Sequence, residues 1–415
     1  MYKLELTKEQ KILLNLTARS ISDTPSDLVL PETELQDADW KAIVKESVAQ
    51  TVPLATFDRA TVYKNHIPED VYAQWKNIAM GVLRSDFGVV QSQADLVELL
   101  GDKYPYLIIK GTAAGAYYPD PELRALGDVD FLIDPAEQDE LEALLVKEGY
   151  AKSNGDHPNH IVFKKPGAHL EMHFEVAGVP YGWQGEEVRA FLKNAVFEPV
   201  QRTQDVSTFH MPNDTYHGLI LLLHMQHHML GEGFGLRHLS DWAAYVARTY
   251  EKPFWTETLV PFLKKIGLFT YTAVMTKTSA KYLCVPCPDW AKDADEETCD
   301  EIMHDILTGG NFGRKDENRA KSGMLISERG KGGTKHGALY NLAHSLHKAV
   351  LRQYPIVKKV WIFYPFVYAY KALRFLFLSM IGKRPSLVKM APEAEKRKSV
   401  YDKLAVFEAD EPPVQ

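Results

Sequence analysis

The sequence predicts an α+β fold, a small mixed sheet embedded in a largely helical protein. Three observations predict it. Short apolar runs rich in β-formers fall at Tyr106-Leu107-Ile108-Ile109 and Val129-Asp130-Phe131-Leu132-Ile133. Two more, Ile161-Val162-Phe163 and Leu170 to Val176, follow a helix start. Helical spacing of apolar residues dominates on both sides of this unit.

Residues 1–100 read as a helical N-terminal region. Pro25, Pro31 and Pro53 punctuate it, and Leu96, Leu99 and Leu100 close an amphipathic stretch that begins near Pro68-Glu69. Residues 101–205 form the expected α/β core. Its first strand ends at Ile109, where Gly111 breaks the run and a short helix through Ala113, Ala114, Gly115 and Ala116 follows. After the second strand, Asp134-Pro135-Ala136-Glu137 has the signature of a helix start: a capping Asp, Pro at the first position and Glu three residues after the cap. Leu141, Leu144 and Leu145 supply that helix's buried face, and Gly149 its stop. In the strand from Leu170, alternation puts Glu171, His173 and Glu175 on one face. The order is strand, helix, strand, helix, strand, strand. Residues 206–307 return to helix, with Leu219 to Leu223 and Trp242 to Tyr250 as the strongest segments. Residues 308–337, rich in glycine and charge, read as a linker without a phosphate-loop signature. Residues 338–415 read as a basic, aromatic, helical C-terminal region.

Composition narrows the function classes. The chain has 415 residues, 45% hydrophobic and 25% charged, the balance of a globular protein rather than a disordered or collagen-like one. No charge-free apolar run approaches the roughly 18 residues of a membrane span. A net charge of -7 argues against a global nucleic-acid footprint. Three cysteines, Cys284, Cys287 and Cys299, are too few for a disulfide framework. The opening Met1-Tyr2-Lys3-Leu4-Glu5 lacks an apolar leader, so the expected compartment is the cytoplasm.

The chemistry concentrates in Lys110-Gly111-Thr112, Arg124 to Asp130, and Leu170-Glu171-Met172. Asp128 and Asp130, two apart on a strand, project to one face, and carboxylates so close repel unless a cation lies between them. Hard divalent cations, Mg²⁺ first, suit such oxygens. Glu171 on a neighbouring strand would bring a third carboxylate, enough for two metals. The strand, glycine turn and helix start at Gly111-Thr112 present backbone N–H groups to an anion. Lys110 and Arg124 add positive charge against the same phosphates.

In this order the motifs resemble the nucleotidyltransferase fold of the DNA polymerase beta superfamily. More narrowly, they resemble a bacterial branch of uncharacterised nucleotidyltransferases. The residues carrying the resemblance are Lys110-Gly111, Tyr118-Pro119-Asp120-Pro121, Arg124, Gly127-Asp128-Val129-Asp130 and Glu171-Met172-His173. His224, His227 and Arg237-His238-Leu239-Ser240-Asp241 resemble its helical second half. Two departures from the wider superfamily are the Gly-Thr turn, where Gly-Ser or Gly-Gly is usual, and the longer gap from that turn to Asp128. The resemblance implies catalytic and metal roles for Asp128 and Asp130, with Glu171 as third ligand or general base. It implies nucleotide contacts for Lys110, Gly111, Thr112 and Arg124. The implied reaction is Mg²⁺-dependent transfer of a nucleoside monophosphate from a nucleoside triphosphate to an unknown acceptor: a small molecule, a protein or an RNA. The competing reading is an inactive relative that binds or scaffolds.

Other constellations are weaker. Cys284-x-x-Cys287 with Cys299 and His304 has zinc-ligand residue types, but prolines flank Cys287 and packing is the expected role. His224 and His228, spaced i, i+4, suit a metal, yet Leu and Met surround them and no Glu completes a hydrolase pattern. Asp241 is expected to pair with an Arg or cap a helix. Residues 341–400 carry a charge of +10 against -17 elsewhere. Docking of this segment on the acidic body is expected, with Trp361, Phe363, Phe366 and Phe375 buried. Peripheral membrane contact through residues 355–390 and RNA stacking are the alternatives.

Overall fold

The computed structural model describes residues 2–153, 157–204, 207–231, 233–315, 347, 350, 364–380 and 387–409. Five helices precede the sheet: α1 Lys8–Ile21, α2 Glu32–Leu35, α3 Trp40–Ala49, α4 Pro53–Ala60 and α5 Glu69–Leu100. Helix α1 begins in a reciprocal capping box between Thr7 and Gln10 and buries Ile12, Leu13, Leu16 and Ile21. Helix α5 spans the amphipathic stretch seen in the sequence. Gly101, at φ +52°, ends it, a conformation that favours glycine.

The core runs β1 Tyr106–Ile108, α6 Thr112–Gly115, β2 Val129–Ile133, α7 Gln138–Lys147, β3 Ala151–Lys152, β4 His160–Lys165 and β5 Ala168–His173. The five strands form one mixed sheet in the order β1-β2-β5-β4-β3. Strand β2 pairs antiparallel with β1 and parallel with β5. The parallel register sets Asp130 opposite Glu171 and Leu132 opposite His173. Such a pair needs a crossover, and α7 with the β3–β4 segment provides it. Asp134 caps a 3₁₀ turn, Pro135–Glu137, that leads into α7.

Two sequence expectations need adjustment. The helix after Gly111 is a single turn, too short to build an appreciable dipole. Strand β5 stops at His173, so Glu175 leaves the sheet and its carboxylate accepts from Arg189 Nε at 2.5 Å.

Helix α8 Trp183–Leu192 and a hairpin, β6 Pro199–Gln204 and β7 Ser207–Pro212, lead to α9 Asp214–Leu230 and α10 Leu236–Thr249. A Cβ at Gly218 would lie 2.2 Å from the Tyr245 hydroxyl, so this glycine permits close contact between α9 and α10. Helices α11 Val260–Lys265, α12 Phe269–Leu283 and α13 Glu296–Gly309 complete the body. Trp75, Trp242, Trp255, Tyr245 and Phe131 are among its fully buried side chains.

The glycine-rich segment beyond residue 315 lies outside the described residues, as do Trp361, Phe363 and the Phe375 side chain. Two C-terminal helices are described, α14 Tyr364–Met380 and α15 Leu387–Lys403. Ala394, Arg397, Tyr401, Leu404 and Phe407 are buried, and Arg397 Nη2 donates to Met229 O at 2.9 Å at the end of α9. This end of the chain packs on the body. Phe366 does not: it is 71% exposed, and Tyr370, Leu373 and Phe377 are exposed with it. At spacings of four, three and four they form one outward face of α14. No helix among the described residues is long and apolar enough to cross a membrane.

Candidate active site

The ladder between β1 and β2 continues one residue past β1, where Ile109 N–H donates to Asp130 O at 3.1 Å. That register delivers Lys110 to the carboxylates. Its Nζ donates to Asp130 Oδ1 at 2.6 Å. On the other side, His173 Nε2 lies 2.9 Å from the same oxygen and 3.6 Å from Glu171 Oε2. Asp130 is 4% exposed. Burial alone would raise its pKa, but the Lys110 charge and the His173 hydrogen bond outweigh burial and hold it well below the usual carboxylate range.

Asp128 has the opposite fate. Burial first, then the Asp130 charge, pushes its pKa up to about 7. Glu171 also contributes to that rise. The three predicted carboxylates therefore share one field. Glu171 itself is lowered: burial opposes ionisation, but His173, Lys110 and His160 offset it.

Histidines complete the donor set. In the β4–β5 hairpin, His160 pairs with His173 and Val162 with Glu171. His160 Nε2 lies 3.6 Å from Glu171 Oε2. Ligand atoms of Asp128, His169 and Glu171 lie within 4.8 Å of one another, as do those of His160, Glu171 and His173. Among the described residues, Asp130 joins neither group. His169 Nε2 and His173 Nδ1 are buried without hydrogen-bond partners. Carboxylate oxygens of Asp128 and Glu171 beside the His169 ring, whose Nε2 is unsatisfied, fit a divalent cation.

The predicted nucleotide contacts separate. Gly111 sits at φ +54°, and a Cβ there would lie 3.7 Å from Asp128 O, so the turn lies against the carboxylate strand. Thr112 Oγ1 donates to Gln93 Oε1 at 2.6 Å on α5, which fixes the turn to that helix. Arg124 goes elsewhere. Its Nε and Nη2 each donate to Asp241 at 2.8 Å, and Nη1 donates to Ala125 O at 3.2 Å. Tyr118 OH donates to the same Asp241 at 2.9 Å. The Arg124 guanidinium thus gives its donors to Asp241 of α10 and to Ala125 O. Asp86 Oδ1 on α5 accepts from Leu126 N–H at 2.9 Å. The strand-entry segment carrying Asp128 is therefore held from both sides.

The Tyr-Pro-Asp-Pro segment is a set of ties. Tyr117 OH donates to Asp214 Oδ1 at 3.0 Å, and Asp120 pairs with Arg59. His217, buried on α9, lies 3.1 Å from Tyr117 OH and 3.3 Å from Ile109 O. These contacts anchor α9 beside the end of β1. The resemblance includes Arg237 without giving it a role, and its charge acts on Asp128 and Asp241; sequence reasoning passed over His160 and His169. Arg237 was legible as a basic residue near Asp241; the two histidines needed the hairpin register.

Cys299 is buried, with Sγ 3.7 Å from Val274 O, and Cys284 is exposed at the end of α12. None of the metal-competent groups among the described residues includes a cysteine.

A family model described as an uncharacterised nucleotidyltransferase matches residues 36–283. No curated protein and no solved structure matches the chain.

Proposed function

The chain belongs to this uncharacterised nucleotidyltransferase family, and we propose that it moves a nucleoside monophosphate from a nucleoside triphosphate to an acceptor, with Mg²⁺ and release of pyrophosphate. The observation that carries the reading is the parallel β2–β5 register, which sets Asp130 opposite Glu171 beside Asp128. Asp128 and Glu171 would hold the metal, and Asp130 would join them once Lys110 gives up its carboxylate oxygen. Bound Mg²⁺ supplies charge neutralisation for the triphosphate and lowers the cost of ionising the attacking group.

The chain's own residues do the rest. Lys110 exchanges its Asp130 partner for a phosphate oxygen as the triphosphate settles over the Gly111-Thr112 turn. Arg237 adds a second positive charge near Asp128. Arg124 acts through Asp241 by fixing the segment that carries Asp128. The acceptor oxygen or nitrogen bonds to the α-phosphorus, the bond from that phosphorus to the bridging oxygen breaks, and Glu171 or its His173 neighbour takes the proton. The acceptor is a small molecule, a protein side chain or an RNA end. Incubation with each labelled triphosphate and a cell extract tests the reading: pyrophosphate release and a labelled acceptor support it, and neither with any triphosphate refutes it.

Glu171→Gln separates binding from chemistry. Turnover is expected to fall about 100-fold while triphosphate affinity changes less than about threefold, because a third carboxylate matters most in the transition state. Equal losses in both would give Glu171 a structural role.

A second contact rests on α14. Its exposed stripe of Phe366, Tyr370, Leu373 and Phe377 lies on a helix with Lys371 and Arg374 and no acidic residue. That composition suits the surface of an anionic membrane. The full chain should sediment with phosphatidylserine vesicles at low salt, less at high salt, and Phe366→Ser with Phe377→Ser should abolish the effect. Equal sedimentation of that double variant would exclude the stripe as the contact.

A further inference from the structure

Three histidines outside the carboxylate pocket converge from two helices. His224 and His228, four apart on α9, meet edge to face with ring centroids 4.3 Å apart and planes at 88°. His238, in the first turn of α10, brings its ring to 5.1 Å from His228 and 5.8 Å from His224. One ligand nitrogen of each lies within 4.8 Å of the others. We propose that His224, His228 and His238 form a binding site for a borderline divalent transition metal, zinc first, distinct from the carboxylate site.

The geometry is close to what such a metal requires. Tetrahedral zinc with Zn–N bonds of about 2.0–2.1 Å sets its ligand nitrogens about 3.4 Å apart. Small ring rotations close the remaining gap. The i, i+4 pair on a helix followed by a third imidazole from another element is a metal-ligand arrangement in its own right.

A second observation points to a ligand. His224 Nδ1 is buried and has no hydrogen-bond partner. Leaving such an atom unpaired costs about 1–3 kcal/mol. His238 is tied only loosely: its Nδ1 accepts from Gly235 N–H at 3.4 Å, and the ring also meets the Asn311 side chain. Binding a metal through His238 gives up one of these contacts, each weaker than a metal–imidazole bond.

Burial, then neighbouring positive charge, depresses the pKa of all three rings well below the usual value. They are neutral at physiological pH, the form that ligates. The Lys110 charge acts on each ring and the Asp130 charge on His228, so the cluster shares the field of the carboxylate pocket. Phe312 stacks edge-on to His228 and His238 at 4.9 and 5.3 Å and walls the cluster with apolar surface. Imidazole-only donors favour zinc, copper or nickel over magnesium. Three protein ligands leave one position of a tetrahedral ion open.

The test is metal content and Zn²⁺ titration of the full chain, independent of nucleotidyl transfer. Protein produced in zinc-supplemented medium and dialysed against buffer should hold about one zinc per chain by elemental analysis. His228→Ala and His238→Gln should each lower zinc retention at least about tenfold, with melting curves showing that the variants fold. Asp128→Asn and Glu171→Gln should retain it. Co²⁺ in place of zinc should give the intense visible absorption of a four-coordinate ion, lost in His228→Ala. Zinc retained in the folded histidine variants but lost in Glu171→Gln would assign the ion to the carboxylates and overturn the site. No retention in the parent, together with no Zn²⁺ affinity tighter than about 10 μM, would also overturn it. Failure of nucleotidyl transfer with zinc retained would leave the histidine centre standing and refute the transferase reading alone.

Discussion

Asp128→Asn should lower Mg²⁺-dependent pyrophosphate release about 1,000-fold, the largest effect of any single substitution on activity. That loss corresponds to about 4 kcal/mol in the barrier, within what a metal-held charge supplies. The fold should survive it. Burial and the Asp130 charge both oppose ionisation of Asp128 and push its pKa up to about 7. A raised carboxyl pKa makes the folded chain bind a proton more tightly than the unfolded one. The stability this gives is fully present below the ordinary value of 3.8 and is lost as pH rises through about 7. Asparagine carries no charge to lose. The variant should melt at or above the parent temperature, and the difference should grow between about pH 4 and pH 7 and level off above that. Mg²⁺ should raise the parent's melting temperature and leave the variant's unchanged, since a ligand stabilises only the state it binds. Full turnover in the variant, or an equal Mg²⁺-induced shift in both proteins, would remove Asp128 from the metal site.

The elements of the core were legible where the signal was local. Apolar β-formers marked β1, β2, β4 and β5, and the leucine spacing marked α5 and α7. Strand β3 has two residues, both exposed, and offers no pattern to read. The Asp128–Asp130 pair was legible because two residues on one strand share a face whatever the rest of the chain does. Glu171 and Lys110 were named with it from the motif order, but their contacts, and the histidines that join them, depend on pairing across long separations. Lys110 reaches Asp130 only through the β1–β2 register, and His160 reaches Glu171 only through the β4–β5 register. Alternation put Glu175 beside Glu171, but the strand ended first and Arg189 took it. The histidine cluster shows the same limit. The α9 pair was visible at i, i+4, but its third member arrives only when the first turn of α10 folds back on α9.

Arg124 offers the sharpest contrast between a sequence expectation and a fold. As a phosphate ligand, its loss would weaken triphosphate binding and leave stability intact. As the partner of Asp241, its loss strands a buried carboxylate. Arg124 and Asp241 are each about 6% exposed, and the guanidinium spans both carboxylate oxygens. Removing one member of such a pair costs about 3–5 kcal/mol, because the remaining charge keeps its burial and loses its partner. Arg124→Ala should therefore lower the melting temperature by several degrees, and Asp241→Ala should do the same. Arg124→Met with Asp241→Leu should recover much of the loss, since neither buried charge remains. Recovery will be incomplete because Tyr118 OH and Ala125 O also lose their partners. The two roles then separate in one thermodynamic cycle. A coupling of about 2 kcal/mol or more between the two positions, read from denaturant unfolding, assigns Arg124 to the fold. A near-zero coupling with a tenfold weaker triphosphate affinity would return it to the phosphates. Nucleotide affinity should nonetheless fall somewhat in Arg124→Ala, because the segment it anchors runs directly into Asp128 and any slack there loosens the site.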